Sequence, residues 1–169
     1  MAGAVASLIA GLLASALSHG SSVLPKDALV RRVIDGDTVE LGDGRLVRYI
    51  GIDTPELRRK IGGQWVEDPE PFGQTARDAN ARLVEGKTVR LEYDVETHDR
   101  YGRLLAYVYA DGQMVNSTLL AQGDAQLLTI PPNVKHVEEF RRLVKEARDA
   151  KRGLWSAPRS RRRGARDQP

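Results

Sequence analysis

From residue 28 to residue 52 short runs rich in β-branched and aliphatic residues are interrupted by two aspartate-glycine turns. Such runs, bounded by turn residues, predict strands over Ala28–Ile34, Thr38–Leu41 and Arg45–Ile52. The turns Asp35-Gly36-Asp37 and Asp43-Gly44 join them as short hairpins of a meander. Thr88–Asp94 alternates apolar and polar positions. Leu104–Ala110, rich in aromatic and aliphatic residues and closed by Asp111-Gly112, reads as a further strand. Helical periodicity predicts a helix over Gln74–Val84 that stops before Gly86. Asn116 is a good N-cap for Ser117–Gln122, with Gly123 as its stop. Val137, Phe140, Val144 and Ala147 line one face of a longer helix that ends at Gly153. About five short strands with few helices among them predict a mainly β, α+β fold: a small closed barrel with helices packed outside. No internal repeat is present.

Both ends of the chain break this pattern. Residues 2–17 hold only Ala, Gly, Val, Ser, Ile and Leu. The stretch is short for a membrane span, which needs roughly 20 residues. Ala14-Ser15-Ala16 fits the small-x-small pattern of a signal-peptidase site, but no basic residue precedes the apolar run. Lys26, Arg31 and Arg32 come after it, which mildly favours keeping that side cytoplasmic. Residues 1–24 are therefore expected to be either an export signal or a retained membrane anchor. The protein is then secreted, periplasmic or tethered through residues 2–17. The expected folded domain covers residues 26–156. From residue 157 the chain is polar, arginine-rich and expected to be disordered.

Composition narrows the chemistry. There is no cysteine, so disulfides, thiolate catalysis and cysteine-bound zinc are excluded. Three scattered histidines, at 19, 98 and 136, leave no histidine-rich metal site. Any metal would be held by oxygen, which points to a hard cation such as calcium or magnesium. The net charge of +3 suggests a nucleic-acid partner until it is located. Arg159–Pro169 alone carries five arginines against one aspartate, or +4, so residues 1–158 carry −1. Bulk charge therefore says little about what the domain binds.

The candidate chemistry lies in a few polar positions inside apolar runs. Asp35-Gly36-Asp37 taken alone is an ordinary hairpin turn. Asp53-Thr54-Pro55-Glu56 fits a capping box, with Asp as N-cap and Glu three positions later. The next stretch, Leu57–Phe72 with Arg58-Arg59-Lys60, Gly62-Gly63 and Trp65, holds no sustained apolar period for a helix to use. Arg48 sits mid-strand between Leu46 and Ile50, where alternation calls for an apolar residue. Arg103 alone reads as a solvated loop charge. Taken together these residues describe phosphodiester hydrolysis. Two aspartates can hold a Lewis-acidic cation, a glutamate can deprotonate water, and two arginines can stabilise charge growing on phosphate.

The stretches "VIDGDTVEL", "VRYIGIDTPE", "DRYGRLLAYVYADGQMVN" and "KRGLW", in that order and spacing, resemble the staphylococcal nuclease, or thermonuclease-like, family over Ala28–Ser156. The resemblance implies a five-stranded OB-fold barrel with three α-helices. It also implies a calcium-dependent nuclease, binding one ion, that hydrolyses single-stranded DNA and RNA with little sequence preference, as a monomer. By motif position Asp37 and Asp53 match the carboxylate ligands of calcium, and Thr54 the carbonyl ligand. Glu56 matches the general base, and Arg48 and Arg103 the phosphate-binding arginines. Tyr101 matches a tyrosine beside the 5′-phosphate, and Arg100 stands where a lysine is usual. Where the family's archetype flanks the base with two tyrosines, this chain reads Leu128-Thr129-Ile130-Pro131-Pro132, with Thr129 and Pro131 assigned to those positions. Trp65 is expected to anchor its loop over the barrel. Two further readings stand beside the nuclease: a catalytically silent binding module on the same barrel, and an enzyme whose basic tail supplies the affinity for nucleic acid.

Overall fold

The computed structural model describes residues 23–156. The apolar run at residues 2–17, with its expected cleavage site, and the tail from residue 157 lie outside those residues. Among the described residues no helix is long and apolar enough to cross a membrane.

The chain runs β1 (Asp27–Asp35), β2 (Thr38–Leu41), β3 (Leu46–Tyr49), β4 (Ile52–Asp53), β5 (Arg58–Ile61), β6 (Gln64–Glu67) and helix α1 (Gly73–Val84). It continues with β7 (Thr88–Glu92), β8 (Leu104–Ala110), β9 (Gln113–Met114), α2 (Val115–Gln122), β10 (Gln126–Leu127), α3 (Val137–Asp149) and a 3₁₀ turn at Gly153–Trp155. The main sheet has the order β3-β2-β1-β7-β8-β9, and β3 also pairs with β8. That second pairing closes β1, β2, β3, β7 and β8 into the expected five-stranded barrel, with three helices outside. β1 makes closure possible by changing partner along its length: Asp27–Leu29 pair with β7, and Val30–Asp35 with β2. Register irregularities between Val30 and Arg32 and between Val33 and Asp35 bend it, as bulges do at barrel corners.

Val30, Val33, Val39, Leu41, Val47, Val89, Leu104 and Val108 fill the interior. The run expected as one strand over Arg45–Ile52 is interrupted. Gly51 takes φ +81°, and a Cβ there would lie 2.5 Å from the Phe140 ring of α3. Only glycine fits this kink against the helix, and the kink redirects the chain into β4 and Asp53.

Three local expectations need correction. Asn116 does not cap α2. It sits inside the helix, wholly buried; its side chain accepts from the Val108 amide at 2.9 Å and donates to the Ile50 carbonyl at 2.8 Å. The amide is spent on two backbone groups of the barrel, which would otherwise be buried without partners. Helix α3 ends at Asp149 rather than at Gly153. The chain reverses through Lys151, at φ 52°, before the 3₁₀ turn. Finally, the Leu57–Phe72 stretch is not an open loop: β5 and β6 pair as a hairpin turning on Gly62-Gly63. With a strand after it, the Asp53–Glu56 motif caps no helix. The expectation for the Trp65 side chain falls outside what the structure describes.

Candidate active site

Two turns meet at one mouth of the barrel. The first, between β1 and β2, carries Asp35, Gly36 and Asp37; the second begins at the end of β4 and carries Asp53, Thr54 and Glu56. They can touch because residue 36 has no side chain. A Cβ there would lie 2.7 Å from the Thr54 side chain and 2.8 Å from Ala76 of α1.

Asp37 is 4% exposed. Its Oδ2 accepts from the Thr54 amide at 2.9 Å and the Thr54 hydroxyl at 3.1 Å, and forms an ion pair with the Arg48 guanidinium at 2.8 Å. Its Oδ1 accepts from the Thr38 hydroxyl at 3.1 Å. The arginine that breaks the alternation of β3 is explained here. Arg48 stands between two carboxylates, ion-paired with Asp37 and donating at 3.0 Å to Asp53 Oδ1. It also donates to the Ile52 carbonyl at 2.9 Å. Its planar fork thus fixes both turns at once.

Negative charge is crowded at this mouth. Burial pushes the Asp37 carboxyl up to about 8; Arg48 pulls it down, and Asp35 and Asp53 push it further up. Glu56, which faces solvent, is raised by partial burial and then by Asp35 and Asp53, with Arg48 opposing. A place that penalises its own carboxylates gains by taking a cation. Among the described residues no group of three histidine, aspartate or glutamate side chains forms a ready cage. The donors at hand, Asp37, Asp53 and Thr54, offer only oxygen. That set fits a hard divalent ion completing its shell with water or substrate oxygen, and it does not fit a soft metal.

The remaining predicted residues lie on the other side of Arg48. A cleft of about 530 Å³ is lined by Arg48, Arg100, Tyr101 and Arg103 on its polar side, and by Ile50, Leu105, Leu128 and Ile130 on its apolar side. Arg103 is not a free loop charge. Its Nε donates to Asp99 Oδ2 at 2.7 Å, and its amide donates to Asp99 Oδ1 at 2.9 Å. Burial works against the Asp99 carboxylate, but the bonds from Arg103 and the Tyr101 amide hold it below the ordinary range. Tyr101 is 68% exposed, with the Arg100 and Arg103 guanidiniums 4.8 and 5.7 Å from its ring centre. The structure therefore places Asp37, Arg48, Asp53, Thr54 and Glu56 at one mouth. Arg100, Tyr101 and Arg103 lie on the adjoining cleft wall, and Arg48 is shared.

Sequence reading misses part of this arrangement. Leu128 and Ile130 face the cleft, while Thr129 lines a separate small cavity behind it and Pro131 is exposed. Thr129 and Pro131, matched by motif position to the base-flanking tyrosines, thus do not line this cleft, whereas Leu128 and Ile130 do. Asp99 is absent from the predicted set, although its spacing of four from Arg103 suits an ion pair. Asp35, which the sequence presents only as a turn residue, adds a further carboxylate to the mouth.

The family described as "Staphylococcal nuclease homologue" matches residues 46–157. "SPbeta prophage-derived endonuclease YokF" of Bacillus subtilis (strain 168) is 38% identical over 135 residues, covering 77% of this chain and 44% of the relative. "Endonuclease YncB" of the same organism is 39% identical over 130 residues, covering 74% of this chain and 59% of the relative. The chain therefore spans about half the length of these two. "Thermonuclease" of Staphylococcus hyicus is 39% identical over 130 residues, covering 75% of this chain and 74% of that protein. The closed barrel, the paired acidic turns and these matches together place the chain in the family of staphylococcal nuclease homologues.

Proposed function

We propose that this domain is a calcium-dependent nuclease that hydrolyses phosphodiester bonds of DNA and RNA with little sequence preference. The observation that carries the reading is Arg48, held within 3.0 Å of both Asp37 and Asp53 and exposed to the cleft that Arg103 also lines. The nuclease names of the relatives support it.

Asp37 and Asp53, with the Thr54 carbonyl, would hold the ion. Calcium, when bound, supplies Lewis-acid polarisation of phosphate oxygen. Glu56 takes the proton of the attacking water; burial and the neighbouring carboxylates raise its carboxyl above the ordinary range, which strengthens it as a base. Arg48 and Arg103 present planar forks that match phosphate oxygens and bind more tightly as charge builds in the transition state. Arg100 and Tyr101 receive the neighbouring phosphate and sugar. Leu105, Leu128 and Ile130 give the cleft an aliphatic wall that holds no hydrogen-bonding group for a base edge, which agrees with weak sequence preference. Its aliphatic wall can meet base faces only in unpaired strands.

The test measures cleavage of single-stranded DNA by the full chain in calcium, in magnesium and in EDTA. Cleavage should require calcium, and Glu56→Gln should lower the rate roughly 10²–10⁴-fold with the fold intact. The acid limb of the wild-type pH profile should lie above the ordinary glutamate range, because the base form is lost as pH falls through a raised value. Cleavage unaffected by Glu56→Gln would remove the base assignment. DNA binding without cleavage in any ion would make the domain a silent binding module.

A further inference from the structure

Helix α1 lays three buried residues, Gly73, Ala76 and Asn80, against the two acidic turns. Gly73 lies beneath the second turn, where a Cβ would be 2.9 Å from the Glu56 carbonyl and 3.2 Å from that of Pro55. Ala76 lies beneath Gly36 of the first turn. One helical turn further, Asn80 is wholly buried and donates to the Asp35 carbonyl at 3.3 Å. Its Oδ1 accepts from the Tyr49 hydroxyl at 3.0 Å. Tyr49 is itself 1% exposed, and its amide donates to the Asp37 carbonyl at 2.9 Å. The first turn is thus held at both ends by one residue: at Asp37 by the Tyr49 amide, and at Asp35 by the Tyr49 hydroxyl acting through Asn80.

A phenol and a carboxamide inside a barrel core are costly unless both are used. Leucine or phenylalanine would fill the space at residue 49 without that demand. Here the two polar groups satisfy each other and one backbone carbonyl, and that carbonyl belongs to the turn that carries Asp37. Burial pushes the Tyr49 hydroxyl far up, so it stays a neutral donor.

We propose that Tyr49 and Asn80 are positioning residues that set the height of the Asp37 turn above α1, and so its spacing from Asp53, Thr54 and Glu56. The consequence for catalysis rests on the nuclease reading; the geometric claim does not. Neither residue touches substrate, so loss of either should act through the ligand turn.

The experiment compares the full-length wild type with Tyr49→Phe, Asn80→Ala and, as a control, Val84→Ala, a buried α1 residue away from the turns. Three properties are read: calcium affinity by calorimetry, kcat and KM on single-stranded DNA, and hydrogen exchange of the Tyr49 amide in EDTA. Tyr49→Phe and Asn80→Ala should weaken calcium binding roughly 10–100-fold, lower kcat with KM for DNA little changed, and speed exchange of the Tyr49 amide. Val84→Ala should lower the melting temperature without those effects. The proposal is overturned if both variants bind calcium and protect the Tyr49 amide as wild type does, and merely melt earlier. If Asn80→Ala does not fold, Tyr49→Phe decides alone. A wild type that neither binds calcium nor cuts DNA sinks the nuclease reading; the exchange measurement still judges the positioning role.

Discussion

The two sides of Arg48 are built to different standards. On the acidic side the two turns are pinned at Asp37 and Thr54. Asp37 accepts three hydrogen bonds, two of them from Thr54, and pairs with Arg48, while α1 packs beneath both turns. On the cleft side Tyr101 is 68% and Ile130 61% exposed, and both stand on loops. Arg103, clamped by Asp99, is fixed there with more care. Reaction geometry tolerates little error, because a misplacement of ~1 Å can cost about 10²-fold in rate. A surface that accepts many sequences needs no such accuracy. The difference separates the part that performs chemistry from the part that admits substrate.

Substitutions on the two sides should therefore differ in size and kind. The largest effect is expected for Arg48→Met, which removes the cation that joins the two turns and leaves Asp37 buried beside Asp35. Cleavage should fall roughly 10³-fold or more, and chemical denaturation should show reduced stability. A loss of only a few-fold would show that Arg48 is structural.

Asp37→Asn should separate function from stability. The folded carboxyl titrates near 8, well above the unfolded value of about 3.9. The folded state thus binds the proton more tightly than the unfolded state does. Between those values stability without calcium falls as pH rises. Asparagine carries no such charge, so the variant should lose calcium-dependent cleavage yet melt several degrees higher than wild type in EDTA near pH 8. Equal or lower melting would mean that Arg48 already compensates the buried charge.

Asp99→Asn should cost roughly 10–100-fold in kcat, since Arg103 loses its charged anchor and with it a defined aim. A change confined to KM would place Arg103 in binding alone. The smallest effect belongs to the open wall. Ile130→Tyr adds a ring on which a base can stack, an interaction worth about 1–3 kcal/mol per base at most. KM for single-stranded DNA should fall several-fold with kcat unmoved. A matching rise in kcat would show that the wall shares in catalysis and would undo the contrast.

The same division governs what is legible in the sequence. Part of each barrel strand carries a period-two signal and Asp-Gly turns bound the rest, so β1, β2 and β8 lie close to their predicted ranges. Arg48 announces itself by violating that period. Asp37, Asp53 and Glu56 are visible as motif residues for a related reason, being carboxylates at the ends of apolar strands. Asn80 and Tyr49 give no such sign, because their meaning is a bond between residues 31 positions apart. Asn116 misleads, since its N-cap preference is outweighed by two barrel backbone groups that need partners. The β5–β6 hairpin escapes the pattern because Gly62-Gly63 signals a broken helix as readily as a hairpin turn.

The parallel rung between β3 and β8 has a consequence in time. Its three pairs join Val47 to Leu104, Arg48 to Leu105 and Tyr49 to Ala106, 57 positions apart in each case. Parallel pairing at such separation must close a long loop before any contact rewards it, so it belongs among the slow steps of folding. Arg48 lies on the middle pair. A chain emerging from the ribosome can form the β1–β2–β3 meander early, but it cannot seat Arg48 against β8 until residue 106 has been made. The cleft that joins Arg48 to Arg103 is complete only when that seam closes, and a half-made chain carries the acidic turns without it.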